Sequence, residues 1–446
     1  MQQGLLVVQL QSRKKWTVNG TSRIKPAKET LEKVIPISKR IGVTRLADIT
    51  DMDVLRIPNY SAVMPGTEDY IWVYSGKGPT KEHAMASALM ESIERYSSLP
   101  SGGPRKFVRS SYADLSKLHQ VLHPDEIVEP SRFEYRDDML MDWLPGHDLT
   151  SGEEVMVPAS IALFRYTPPP PAVNPFAYFH TNGLASGNVI EEAVCHSLCE
   201  VIERDAMSLA ELRASAIPFH VLRTIGHSLN GAGLRVQPIP AEKFVDDPSV
   251  FPDVDISGIE FEPVKHLADK FERAGISLTL KDITSDTGIP TFNASSVEWV
   301  THDYGYLAEG HGTHPDARLA LLRAITEVSQ TRAANIQGAR DDLRKIKYGE
   351  QNTDDRRAWQ FMQSTKKIKF AQVQTYFNED ILDDIRLILS RLRSVGLAQA
   401  IIVDLTNPDI GIPVVRAIVP GLETFKITKS VMGMRARACY RQWTSR

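Results

Sequence analysis

A chain of 446 residues, 42% hydrophobic and 24% charged, is long enough for a substantial buried core and ordinary in composition for a globular protein. Its net charge of −3 gives no electrostatic reason to expect nucleic acid or an anionic membrane as a partner, and neither is expected. Three cysteines argue against a disulfide framework, the apolar run Leu5 to Leu10 precedes its basic residues instead of following them, and no stretch approaches the roughly 20 apolar residues of a membrane span, so a cytoplasmic protein is expected.

Residues 1–24 read as an N-terminal arm. Lys28 to Val34 reads as a short helix stopped by Pro36, which lacks the N–H a helix interior needs. Gly42-Val43-Thr44 and a strand-like segment around Ile57, ending at Pro58, come next. Tyr70 to Tyr74 has the aromatic and β-branched content of a strand, and Gly76 to Gly78 then turns into a helix from Lys81 to Leu99. Pro168 to Pro171 forms neither helix nor central strand and reads as an extended loop. A second glycine turn, Ala185-Ser186-Gly187-Asn188, leads into a helix over 190–208. The acidic, proline-bearing stretch Val245 to Glu262 reads as loop or peripheral strand. A third turn, Gly310-His311-Gly312-Thr313, precedes a helix over 316–338, and the mixed charges of Asp341 to Lys369 suggest a solvated helix pair or a mobile loop. Ala400 to Asp404 and Val414 to Val419 read as buried strands, the second stopped by Pro420-Gly421. Strands and helices alternate without a strict βαβ beat, so the expected fold class is mixed α/β (α+β). No linker is long or biased enough to separate independent domains. From Lys426 the chain carries Lys429, Arg435, Arg437, Arg441 and Arg446 with no acid, and reads as a solvated basic tail, with an acidic partner or RNA as the alternative.

Each glycine turn is followed by a similar helix: Glu91-Ser92-Ile93-Glu94-Arg95, Glu200-Val201-Ile202-Glu203-Arg204, and Glu327-Val328-Ser329-Gln330-Thr331-Arg332. Glycine permits close backbone approach and a helix start offers free N–H groups, which together suit phosphate. Residues three or four apart share a helix face, so each segment aims its carboxylates in one direction. On an exposed face such a pair costs only about 0.2–0.5 kcal/mol and means nothing. The repetition favours convergence on one cleft. There, carboxylates near 5 Å apart at an effective dielectric of about 20 repel by about 3 kcal/mol per pair. Such a cluster calls for a hard cation, and an all-oxygen ligand set points to Mg²⁺ over zinc, with phosphates as the remaining ligands. Arg323 and Glu327, at i,i+4, are either a surface ion pair or a nucleotide clamp in which arginine holds a phosphate bidentately.

These segments carry a family resemblance. Gly76-Lys77-Gly78-Pro79-Thr80 running into Ala86-Ser87-Ala88-Leu89-Met90-Glu91-Ser92-Ile93-Glu94-Arg95 resembles the first motif of the YcaO family. Asn182 to Asn188, continuing through Glu192 to Glu200-Val201-Ile202-Glu203-Arg204-Asp205, resembles the second, and Arg323 to Arg332 the third. The likeness runs from about Lys25 to Leu422, which implies a YcaO-type catalytic domain over 25–422 flanked by the arm and a basic tail over 423–446. It further implies binding of ATP and Mg²⁺ and activation of a peptide-bond oxygen. Carried over residue by residue, Glu91, Glu94, Glu200 and Glu203 become the Mg²⁺ ligands. Lys28, Ser87, Asn188, Glu192, Arg204, Arg323 and Glu327 become nucleotide contacts, with Arg323 and Glu327 catalytic. Lys77 and Asn182 stand open between phosphate neighbour and turn former.

The family's branches differ in the nucleophile that meets the activated amide: a Cys, Ser or Thr side chain in azoline-forming cyclodehydratases, an amine in amidine formation, external sulfide in thioamide formation. Many azoline-forming members end in a proline-rich tail, whereas this chain has no proline after Pro420 and, with Lys28 so early, is expected to lack a fused leader-binding domain. Val414 to Glu423 resembles the closing strand of thioamide-forming members, which include proteins acting on a glycine of the methyl-coenzyme M reductase α subunit. The resemblance therefore implies a peptide or protein substrate, a sulfide source, a TfuA-like partner protein and a homodimer. A cyclodehydratase and a non-catalytic ATP-binding scaffold are the alternatives. Cys195-His196-Ser197-Leu198-Cys199 raises a metal site or a sulfur-carrying Cys199 against the plainer reading of small buried residues. His311 or His314 could donate a proton or hydrogen bond to substrate, or be ordinary turn residues.

Overall fold

The computed structural model describes residues 9–16, 22–67, 72–238, 240, 244–299, 305–339, 358–428 and 431–444. In α1 (Ala27–Arg40) the buried residues Thr30, Leu31 and Val34 form one stripe, and the helix runs through Pro36 instead of stopping there. Glu32 and Pro36 are both exposed, so the carbonyl that proline cannot serve is left to water. Antiparallel β1 (Arg45–Asp48), β2 (Asn59–Val63) and β3 (Val73–Lys77) make the first sheet. The strand expected around Ile57 begins just after Pro58, because proline offers no N–H to the ladder. Tyr70 and Ile71 lie outside the described residues.

Next come α2 (Lys81–Ser98), β4 (Val108–Ser111), β5 (Gln120–Val121), β6 (Leu140–Asp148), β7 (Glu154–Pro158), β8 (Leu184–Ser186), α3 (Ile190–Glu211) and α4 (Ile217–Gly231). The chain continues with β9 (Asp253–Asp255), α5 (Glu262–Arg273), β10 (Ser277–Asp282), β11 (Thr291–Trp299), β12 (Gly305–Thr313) and α6 (Ala317–Gln337). It closes with β13 (Lys367–Lys369), α7 (Ile381–Ser394), β14 (Ile401–Asp404), β15 (Val414–Ile418) and α8 (Met434–Thr444). A five-stranded sheet runs β12-β11-β10-β9-β13, and a seven-stranded sheet runs β5-β7-β6-β14-β15-β8 with β4 paired to β6. Of the charged stretch expected to be solvated, residues 341–357 lie outside the description, whereas Lys367–Lys369 pairs in parallel with β9 inside the five-stranded sheet.

The apolar cores follow these layers. Val34, Leu89, Ile93 and Trp143 belong to a core shared by α1, α2 and the seven-stranded sheet. Phe271, Phe292 and Leu321 join α5 and α6 to the five-stranded sheet. Leu198, Ile202, Ile385 and Val415 join α3 to α7 and β15. No helix among the described residues is long and apolar enough to cross a membrane.

Two of the expected glycine turns are strands. Gly76 lies in β3, and Gly310 and Gly312 lie in β12. A Cβ on Gly76 would sit 2.1 Å from the Ala88 nitrogen of α2, and one on Gly312 2.0 Å from the Ala320 carbonyl oxygen of α6. These glycines let a helix backbone lie directly on a strand, which fixes the distance from helix to sheet. Only Gly78 and the pair Gly187-Asn188 occupy strand-to-helix connections.

The basic tail is not simply solvated. Arg435 of α8 donates to both carboxylate oxygens of the buried Asp205, at 3.0 and 2.9 Å, and also to Asp286. Glu423 accepts the N–H groups of Gly433 and Ala436 at 2.9 and 2.8 Å. A buried carboxylate at the end of α3 requires a cation, and the tail supplies it. Lys429 and Arg446 lie outside the described residues.

Candidate functional site

A cleft of about 460 Å³ opens between α2, α3 and α6 and is bounded by the first residues of α1. Thr80 caps α2 by accepting the His83 N–H at 3.4 Å, and Asp316 caps α6 by accepting the Arg318 N–H at 3.0 Å. Ahead of α3, the backbone and side-chain amides of Asn188 donate to Glu192 at 2.9 and 3.0 Å. With the three helix starts fixed, helical spacing delivers the side chains. Glu91 and Glu94 come from α2, Glu200, Glu203 and Arg204 from α3, Arg323 and Glu327 from α6, and all line the cleft together with Ser87, Asn188 and Glu192.

Lys28 is the exception. It stands exposed on α1, off the stripe of Ala27, Thr30, Leu31 and Val34, and does not line the cleft. Ser22, Arg23 and Lys25 of the same segment do. Glu192 holds this segment in place, accepting the Ile24 N–H at 2.7 Å and pairing with Arg23 at 3.4 Å. Asn182 faces a separate crevice.

Burial pushes Glu94 well above the ordinary carboxylate range, with Glu200 adding to the effect. Burial raises Glu200 too and lifts Glu203 to about 7. Glu327 goes the other way: burial works against its charge, yet Lys77 and Arg204 together hold it below its usual value. The pairing of Arg323 with Glu327 expected from their spacing is not made. Lys77 bonds Glu327 instead, and Arg323 donates to the Thr313 carbonyl at 2.8 Å and meets His196 Nδ1 at 3.4 Å. Arg204 lies 3.8 Å from Glu200 and 4.0 Å from Glu203, and Arg95 lies 3.7 Å from Glu91. Burial thus disfavours the charge of Glu94, Glu200 and Glu203, and the all-oxygen chemistry of the α2 and α3 carboxyls fits a hard divalent cation.

Among the described residues, the histidines and cysteines do not form a metal centre. Donor atoms of Cys195, His314 and Asp384 lie within 4.8 Å of one another. However, His314 Nδ1 accepts the Asp316 N–H at 2.9 Å, so the neutral ring carries its proton on Nε2 and has no lone pair there to give. The Lys15 ammonium already pairs with Asp384. His196 faces Arg23 and Arg323, two cations that leave no place for a metal ion. His311 lines the cleft, bonded to Asn293 at 3.0 Å, and burial lowers it to about 3, so it is neutral. It therefore cannot act as an acid near neutral pH.

Residues 75–423 match the family model described as YcaO cyclodehydratase, ATP- and Mg²⁺-binding. A protein of Methanothermobacter thermautotrophicus is 35% identical over 416 residues, covering 92% of this chain and 97% of the relative. A protein from the tfuA 3′ region of Rhizobium leguminosarum bv. trifolii is 31% identical over 426 residues, with 92% and 90% covered. Among solved structures, YcaO from Methanopyrus kandleri bound with AMPPCP and Mg²⁺ superimposes with a TM-score of 0.68 at 24% identity, over 94% of this chain and 97% of that one. A heterocyclase in complex with substrate and cofactor gives 0.70 at 24% identity, and this chain spans 54% of its length. At that identity the structural likeness is one of fold, and it agrees with the mixed α/β architecture. The sequence match across both signature helices and the third motif carries the assignment: the chain belongs to the YcaO family of ATP-dependent, Mg²⁺-binding enzymes.

Proposed function

We propose that this enzyme transfers the γ-phosphoryl group of ATP to the oxygen of a peptide-backbone amide, and that external sulfide then attacks the carbonyl carbon. Phosphate departs with the amide oxygen, leaving a thioamide, ADP and phosphate. The amide-activating half rests on the cleft, where ten of the eleven expected site residues converge. The observation that carries the choice of sulfide is a relative similar along nearly its whole length that comes from a tfuA 3′ region. A TfuA-like partner that handles sulfide is part of this reading. The methyl-coenzyme M reductase α glycine is the first target to test.

Glu91, Glu94, Glu200 and Glu203 are the residues suited to hold Mg²⁺, which when bound supplies positive charge against the phosphates. Ser87, Asn188 and Arg204 face the nucleotide, with Glu192 orienting Asn188. Arg323 steadies negative charge on the transferring phosphoryl group, and Glu327 places the Lys77 ammonium beside it. The family description favours a second reading, cyclodehydration, in which a substrate side chain replaces sulfide. Intact-mass measurement separates the two. With ATP, Mg²⁺ and sulfide the substrate should gain about 16 Da, as oxygen is exchanged for sulfur. A loss of about 18 Da without sulfide would establish cyclodehydration instead.

A further inference from the structure

Next to the nucleotide cleft lies a second, much smaller crevice of about 50 Å³. One chain segment borders both: Thr181 and Leu184 line the cleft, whereas His180 and Asn182 line the crevice. Arg416 completes it from β15, where it pairs in register with Leu184. Its guanidinium also senses Glu200 and Glu94 of the cleft, although burial lowers it to about 10, which leaves it charged at neutral pH.

The walls are apolar, formed by residues such as Ile161, Val201 and Ile418, but the polar groups among them are ordered. His180 Nε2 donates to Glu129 Oε1 at 2.7 Å, and Arg416 donates to the His180 carbonyl oxygen at 2.9 Å and to its Nδ1 at 3.1 Å. This arrangement places the His180 proton on Nε2 and leaves three buried polar atoms unmatched. Glu129 Oε2, Asn182 Oδ1 and Arg416 Nε are buried without a partner. Glu129 and Arg416 are only 8% and 2% exposed, so each orphan is costly, and three around one crevice call for a guest. A guest with two hydrogens to donate and a lone pair to accept one satisfies all three. Hydrogen sulfide and water share that pattern. The apolar walls favour the less strongly hydrated molecule, and the Arg416 guanidinium favours the one with the more readily formed anion.

We propose that this crevice is the sulfide subsite of the reaction proposed above. Hydrogen sulfide gives one proton to Glu129 Oε2, and Arg416 Nε–H holds the resulting hydrosulfide. The S–H bond electrons stay on sulfur, which moves along the segment 180–184 that borders both spaces and attacks the activated carbonyl carbon in the cleft. Phosphate leaves with the amide oxygen, the remaining S–H proton passes to that phosphate or to water as the C=S bond forms, and Glu129 regains its charge by giving up its own proton the same way. The inference rests on the thioamide reading, so its test includes a readout that does not require turnover.

Crystals of the full chain soaked anaerobically in sodium hydrogen selenide, which keeps a hydrogen to donate, should show anomalous selenium density beside Arg416, and added sodium sulfide should displace it. Asn182→Leu, which fills the crevice, should abolish that density and lower sulfide-dependent turnover at least tenfold at any sulfide concentration, with AMPPCP affinity within twofold. Glu129→Gln, nearly the same shape, should leave the selenium in place and reduce sulfide-dependent turnover most strongly at low pH. Water alone in the crevice, selenium that sulfide does not displace, or unchanged sulfide-dependent turnover in Asn182→Leu each overturns the proposal. If sulfide displaces selenium but no thioamide forms with any substrate, the subsite stands and the thioamide reading fails.

Discussion

Glu203 combines the features that make a carboxylate wait for a cation: burial in the cleft, Glu327 and Glu200 nearby, and Arg204 at 4.0 Å as partial relief. Its value of about 7 lies above that of an unfolded chain, so the folded protein binds the extra proton between about pH 4.5 and 7. Stability of the metal-free protein should therefore fall as pH rises through this window. Mg²⁺ must displace the proton, so its affinity measured calorimetrically with AMPPCP should rise about fivefold from pH 6 to 7 and about twofold more by pH 8, where it flattens. Glu203→Gln should weaken the pH dependence, to which Glu94 and Glu200 also contribute, raise the metal-free Tm at pH 8 and abolish ATP hydrolysis. Normal hydrolysis in that variant would remove Glu203 from the site. Arg323 yields a second test. One nitrogen bonds the Thr313 carbonyl while another meets His196, a fork that lysine cannot reproduce. Arg323→Lys should lower turnover at least a hundredfold with little change in Tm, whereas matched losses would mark it as a structural ion. The cleft glutamates were legible in the sequence because i,i+3 spacing on a helix is encoded locally. The bond from Lys77 to Glu327 joins residues 250 apart and was not. Arg23 and Lys25 were missed for a similar reason, since a non-periodic arm leaves no pattern that shows where it docks.

At the scale of elements, Gly76, Gly310 and Gly312 sit in strands against helix backbone and not in the turns their surroundings suggest. A glycine that receives phosphate and one that receives a helix backbone look alike in sequence, and only packing distinguishes them. Gly312→Ala would place its Cβ 2.0 Å from the Ala320 carbonyl oxygen, with backbone on both sides and no flexible atom to yield. The expected loss is about 3 kcal/mol in urea unfolding, together with weaker nucleotide binding as α6 shifts. Gly226→Ala is the matching control. Gly226 lies inside α4 with nothing within 4 Å of its would-be Cβ, so alanine there should stabilise by up to about 1 kcal/mol. Equal effects at both positions would contradict the account of helix-on-strand contact. The signature helices themselves were foreseen within a few residues because caps and periodicity agree. The helix around Pro36 was cut short because local propensity overlooks an exposed carbonyl that water can serve.

Across the whole molecule, the cleft exists because three sheet-and-helix layers hold their helices to a common centre, and the chain termini help to fasten them. Gln11 and Arg13 of the arm reach Glu191 near the start of α3, while Arg435 of α8 reaches Asp205 near its end. The tail's lack of acids was plain in the sequence. Its anchorage was not, because the partner carboxylate lies 230 residues away. That convergence is what the account asks to perform a single chemical event, phosphorylation of an amide oxygen. A substrate peptide carrying ¹⁸O in the target backbone carbonyl tests it directly, whichever nucleophile follows. After turnover with ATP and Mg²⁺, one ¹⁸O atom should appear in the released inorganic phosphate for each product molecule formed, and Glu203→Gln should release none. Unlabelled phosphate accompanying modified peptide would show that the amide oxygen never carried the phosphoryl group, and would contradict the mechanism.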